Sequence, residues 1–227
     1  MRPFQILAGV SVCCCVIFAA SSAAVAEVTV SKLEQAPPDA LSKEVAATLQ
    51  KTGFKIADGD KTVCEFWLCE TWDSTPNFQA STTVLYPIKP GTLMGAIRFP
   101  DGGNDFRQQE LEAGVYTMRY GRQPQDGNHI GTSDTLDFIL LSTAADDTDP
   151  AAVEAQALID QSALAANSTH PAMMSLRPAA TDLETVPAVQ HDDIHDWTSV
   201  RIAGTTAAGD EKKALQVEFV VVGFAAE

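Results

Sequence analysis

Short extended runs closed by turn-formers recur along most of this chain, and helices seldom come between them. Residues 54–57 and 62–68 flank Asp58-Gly59-Asp60-Lys61, a tight hairpin signal. Further runs at 83–86, 93–99, 115–120 and 136–143 are separated by Pro90-Gly91, Asp101-Gly102-Gly103, Ala113-Gly114 and Asp126-Gly127. Later runs lie at 172–176, 198–203 and 215–224. The stretch Val217-Glu218-Phe219-Val220-Val221-Val222 is apolar almost throughout and predicts a central strand buried on both sides. Strands that do not alternate regularly with helices exclude a parallel α/β sheet. They predict an all-β fold, most simply an antiparallel two-sheet sandwich, of which the jelly roll is one form.

Two short peripheral helices complete the expectation. Residues 39–51 follow Pro37-Pro38, with Asp39 as cap and Leu41, Val45 and Leu49 on one stripe. A second helix is predicted from Asp149 as cap and Pro150 as first residue to Asn167, with Ala155, Leu158, Ile159 and Ser162 on its inner face. At 227 residues and 45% hydrophobic, the chain has enough apolar mass for one sizeable core.

Residues 1–26 carry the signs of a cleaved secretory signal peptide. Arg2 is followed by an uncharged apolar run over 6–20 and then by the small residues Ala24-Val25-Ala26. The apolar part is shorter than the roughly 20 residues a spanning helix needs. The reading is therefore an exported protein, periplasmic or extracellular, with no membrane span after cleavage and one domain over residues 27–227.

Cleavage removes three of the five cysteines and leaves Cys64 and Cys69. If both lie on one strand, five steps of about 3.3 Å hold their Cα atoms roughly 16 Å apart, on opposite faces. A disulfide needs about 7 Å or less. Both thiols are expected to be free.

The net charge of −15 argues against nucleic acid as a partner. The acids are concentrated: residues 123–200 hold thirteen of them and a single base, Arg177. Such a surface either keeps an exported protein soluble or collects a hard cation such as Ca²⁺. Asp146-Asp147-Thr148-Asp149 is the densest part, readable as a capping loop or as a calcium site built on Asp146 and Asp147, although EF-hand spacing is missing.

All four histidines lie in the acidic part. His191-Asp192-Asp193-Ile194-His195 lacks the glutamate that a zincin helix needs. An extended segment would instead put His191, Asp193 and His195 on one face, a two-histidine, one-carboxylate set suited to Zn²⁺ or Fe²⁺. The alternative is an exposed polar loop before Trp197. The glycine-rich loop Asp126-Gly127-Asn128-His129-Ile130-Gly131-Thr132 sits between two expected strands, where binding loops collect. Asp126, His129 and Thr132, with His170 held extended by Pro171, form a candidate ligand site. His129 and His170 are also candidate metal ligands or general bases. Trp72 and Phe78, expected in a loop, are candidate sugar-stacking rings. Gly131-Thr132-Ser133-Asp134-Thr135 lacks the closing glycine of a nucleophile elbow.

The pattern Leu111-x-x-Gly114-Val115-Tyr116-Thr117-x-Arg119-Tyr120, then Gln123-Pro124-x-Asp126-Gly127-x-His129-x-Gly131-Thr132, Asp137-Phe138 and Asp146-Asp147-Thr148-Asp149-Pro150, resembles a group of exported bacterial proteins of unassigned activity. Cys64-Glu65-Phe66-Trp67-Leu68 and His170-Pro171-Ala172 fit the same pattern. The resemblance implies one intact exported domain and draws attention to the His129 loop.

The function expected from these signals is an exported binding module for a small molecule, glycan or envelope protein, with a divalent cation (Ca²⁺ or Zn²⁺) as a candidate cofactor. A metal-dependent hydrolase built on the histidines is the competing class. A structural partner in the cell envelope is the third.

Overall fold

The computed structural model describes residues 28–127, 129, 133–179 and 186–225. The signal-peptide reading of residues 1–26 lies outside them. The described chain is β-rich, with thirteen strands and two helices. None of its helices is long and apolar enough to cross a membrane.

β1 (Val28–Leu33), α1 (Lys43–Thr48), β2 (Gly53–Asp58) and β3 (Lys61–Leu68) open the fold. β1 pairs antiparallel with β2, and β2 with β3 across a two-residue turn in which Gly59 takes φ +55°. β4 (Trp72–Asp73), β5 (Leu93–Phe99), β8 (Gly114–Arg122) and β9 (Asp137–Thr143) follow, and β6 (Gly103–Asn104) forms a small separate ribbon with β7 (Glu110–Leu111). α2 (Ala155–Ala165) then leads to β10 (Met173–Arg177), β11 (Ala188–Asp192), β12 (Trp197–Ala208) and β13 (Glu211–Val222).

A two-sheet sandwich is not what the strand order shows. One hydrogen-bonded path runs β1-β2-β3-β5-β8-β9-β10-β13-β12-β11, and β4 joins it parallel to β12, so the sheet is mixed. It curls until Cα atoms of β1 come within 8 Å of β11. The physical reason lies at β10. Met173, Met174 and Ser175 pair with β9, whereas Leu176 and Arg177 pair with β13. A strand of five residues thus divides its ladder between two neighbours, and the sheet bends there instead of ending in two edges. Tyr86 reinforces the bend: its hydroxyl donates to the Arg177 carbonyl and accepts from the Glu218 N–H. Burial raises the Tyr86 pKa, so the hydroxyl stays a donor.

Inside the curl, Phe66 of β3 meets Phe219 of β13 edge-on, with centroids 5.4 Å apart. Both are fully buried with Ile97, Met118, Tyr120, Ile139, Leu176, Val200 and Val217. β13 lies between β10 and β12, the central position its apolar run predicts. Trp72, expected to be open in a loop, is fully buried. Its indole N–H donates to the Met94 carbonyl, and its ring lies flush against Gly204, where a Cβ would overlap it. The bare backbone of β12 admits the ring, so this tryptophan is core. Phe78 is half-buried.

The outer face is also covered. A smaller apolar cluster of Phe106, Phe138, Leu140, Leu158, Trp197 and Val220 packs there, and Leu158 comes from α2. Beside it, Arg119 of β8 is fully buried and has every N–H filled. Nε and Nη2 grip Asp147, and the remaining donors reach the carbonyls of Gly91, Ala151 and Asp149.

That network explains why α2 begins at Ala155 and not after Pro150. The Asp149 and Ala151 carbonyls are taken by Arg119, and the Val153 N–H donates to Gly91. Backbone groups committed to tertiary partners cannot start a helix. α1 is likewise shorter than expected. Ser42, not Asp39, caps it by accepting from the Val45 N–H, and the chain turns extended at Leu49. The stripe itself holds: Val45 and Leu49 are fully buried. Residues 83–86 form no strand, because the Leu85 N–H donates to the Asp137 carboxylate instead of a ladder. Cys64 and Cys69 are free and buried. Burial pushes the Cys64 thiol up to about 12 and Cys69 up to about 11, the latter opposed by Thr48 and Arg119.

Candidate functional site

The Asp126 loop is partly described. His129 Nδ1 lies 2.7 Å from Asp126 Oδ1 on the surface, and the His129 N–H reaches the Asp126 carbonyl. Thr132 lies outside the described residues. His170 is exposed, with its backbone N–H on Ser168 Oγ. Among the described residues, no group of three or more His, Cys, Asp or Glu side chains is placed to hold a metal ion. His129 and His170 therefore do not come together there as part of such a set.

The Asp146–Asp149 carboxylates each have a partner in the protein. Asp146 accepts from Thr143 Oγ1, Asp147 is held by Arg119 and Thr117, and Asp149 accepts from the Ala151 N–H. Asp147 is buried and spent on Arg119 and Thr117, so the cluster offers a cation only the exposed Asp146 and Asp149. Accordingly, EDTA is expected to change Tm by less than about 1 °C, because removing a ligand costs stability only where it was bound. A chelator-dependent drop of several degrees in a melting curve would overturn this.

His191, Asp193 and His195 do not share a strand face. β11 stops at Asp192, which pairs with Trp197, and the chain reverses through Asp193-Ile194-His195-Asp196 with Asp196 at φ +55°. Asp192 drives the reversal by accepting from the Ile194 and His195 N–H groups. Its other oxygen meets His195 Nδ1 at 2.8 Å, a hydrogen bond that holds the Asp192 pKa below its usual range. His191 Nε2 instead lies 3.5 Å from Asp193 and 3.7 Å from Asp196. The segment is a strand end and a hairpin turn.

Behind that turn lies a cleft of about 500 Å³ lined by Arg177, Gln190, His191, Trp197, Ser199 and Glu218, with Pro178, Asp192 and Val220. Its floor is built by register. Gln190 stands opposite Ser199, Ser199 opposite Val220, and Glu218 lies between Arg201 and Arg177. Strand alternation sends Val200, Ile202, Val217 and Phe219 into the core, so Ser199, Arg201, Glu218 and Val220 face outward. Arg201 is fully buried and grips Glu218 through Nε and Nη2, while Nη2 also reaches Gln190 Oε1. Ser199 Oγ donates to the other Glu218 oxygen at 2.6 Å. Among the described residues, Arg201 Nη1 has no hydrogen-bond partner.

The wall is Trp197. Its indole N–H donates to the Phe224 carbonyl, Phe106 packs edge-on, and His195 stacks at 4.3 Å. The Arg177 guanidinium lies 4.7 Å from the ring centroid, a cation–π contact.

The sequence reading brought His191 to this place but missed Arg177, Gln190, Trp197, Ser199, Arg201 and Glu218. Two signals were available. Glu218 is a charge inside an otherwise apolar run, which demands a buried partner, and Arg177 is the lone base of an acidic stretch. No protein-family model matches the chain, and neither a curated protein nor a solved structure is significantly similar to it.

Proposed function

We propose that this chain is an exported binding module, periplasmic or at the cell surface, that takes a small ligand in the Arg177–Trp197 cleft. The observation that carries the reading is a concave site of about 500 Å³ with a rigid polar floor. That volume falls in the range of small-molecule sites, and its mixture of one aromatic wall with convergent polar groups fits them. The floor sits on paired strands and is locked by the Arg201–Glu218–Ser199–Gln190 network, so little order has to be gained on binding.

Binding suits the cleft better than hydrolysis. Ser199 is buried and donates to a carboxylate that Arg201 already compensates, which does not make an activated nucleophile. His191 meets Thr198, Asp193 and Asp196, not Ser199.

The test is a fragment screen by NMR on the purified protein. The three tryptophans give three indole N–H signals, and Trp197→Phe identifies the third. Hits are expected to move the Trp197 indole signal and the backbone amides of Gln190, Ser199 and Val220. The Trp67 and Trp72 indoles, bonded to the Gln35 and Met94 carbonyls, should stay fixed. Shifts gathered on the Asp126–His129 loop would move the site there, and a screen without hits in the cleft would end the proposal.

A further inference from the structure

The geometry points to a small organic monocarboxylate as the ligand of the Arg177–Trp197 cleft, an inference that rests on the cleft being the binding site. It follows from which hydrogen-bonding groups there are already used. The carboxylates lining the cleft are filled. Glu218 accepts from Ser199 on one oxygen and twice from Arg201 on the other. Asp192 accepts two backbone N–H groups on one oxygen and meets His195 on the other.

The donors are not filled. Arg177 makes no hydrogen bond with a described residue through its guanidinium; its one ion pair, to exposed Asp134, spans 3.9 Å. The cation–π contact with Trp197 holds the group against the ring without a hydrogen bond from its N–H donors. Gln190 spends its carbonyl oxygen on Arg201, and among the described residues its amide hydrogens have no acceptor. Arg201, behind them, is buried and does not line the cleft; its role is to hold Gln190 and Glu218 in place. A cleft with spare donors and satisfied acceptors selects a ligand rich in acceptors. An arginine fork matches a carboxylate through two parallel hydrogen bonds.

Charge and shape narrow the class. The chain carries −15, and Asp134 lies beside Arg177 while Asp193 and Asp196 lie beside His191, so a phosphate dianion meets more repulsion than a monoanion. Exposed Pro178, with the small part of Trp197 and Val220 left uncovered, gives the body of the molecule an apolar contact.

The experiment titrates the purified protein with benzoate, benzamide and phenyl phosphate, following the Trp197 indole signal and heat of binding. Benzoate is expected to bind at least about tenfold more tightly than neutral benzamide, the usual worth of hydrogen bonds to a charged group. Arg177→Gln should remove that preference, bringing benzoate to the level of benzamide in the same variant. Arg177→Lys, which keeps the cation and loses the fork, should weaken benzoate more than benzamide, and it serves if Arg177→Gln fails to fold. Benzamide binding as tightly as benzoate, or phenyl phosphate binding more tightly, overturns the carboxylate class and leaves the cleft standing. If no probe moves the Trp197 signal, the cleft reading falls as well.

Discussion

Arg119→Ala is expected to lower the unfolding free energy by about 3–5 kcal/mol, the range for breaking a buried ion pair by removing one partner. The side chain is fully buried and Asp147 nearly so, so alanine leaves a carboxylate in the interior with only Thr117 as donor. It also takes the Arg119 donors from the Asp149 and Ala151 carbonyls and leaves the Gly91 carbonyl with the Val153 N–H. Urea unfolding followed by circular dichroism measures the loss. The double variant Arg119→Met/Asp147→Leu should lose less than the single one, because it removes the orphaned charge with its partner. A single-variant loss under about 1 kcal/mol, the size of an exposed pair, would show that the network is not structural.

Phe219→Ala should cost a similar amount, about 3–5 kcal/mol for truncating a fully buried phenylalanine. The ring joins the two limbs of the curled sheet, since β13 reaches β3 through Phe66. The lost area and the cavity both fall where the curl is held shut. A double-mutant cycle with Phe66→Leu should show a coupling of about 0.5–1.5 kcal/mol, as edge-on aromatic pairs do. Additive effects in the cycle would mean that the limbs hold together without this contact.

These two positions show how far local sequence reaches. Phe219 was legible: it stands in an apolar run whose length and β-branched content demand a central, doubly covered strand. The hairpin at Gly59, the strands around 62–68, 93–99, 115–120 and 136–143, and the free thiols were legible for the same kind of reason. Each depends on residues within one or two turns of chain, where period-two alternation and turn chemistry act directly.

Arg119 was not legible as a network, since its partners at 91, 147, 149 and 151 come together only when the loop before α2 folds over β8. The same folding moved the start of α2 to Ala155, because a tertiary hydrogen bond outcompetes a local cap for the same backbone group. The Asp146–Asp149 loop kept a calcium reading, second to that of a capping loop, for as long as Arg119 was out of view.

The candidate site follows this division. His191 and the polar hairpin were visible as a motif, but the motif promised a metal face that the turn at Asp193 breaks up. The cleft draws Arg177, Gln190, Trp197, Ser199 and Glu218 from four strands, in an order set by the pairing of β11 with β12, β12 with β13 and β13 with β10. What the sequence determined alone was the β-rich character, most strand positions and the charge balance, all of them short-range consequences of residue type. The tertiary structure decided the single curled sheet over two separate ones and the convergence of the cleft residues, because strand pairing depends on the β10 bend and on which faces the helices leave uncovered.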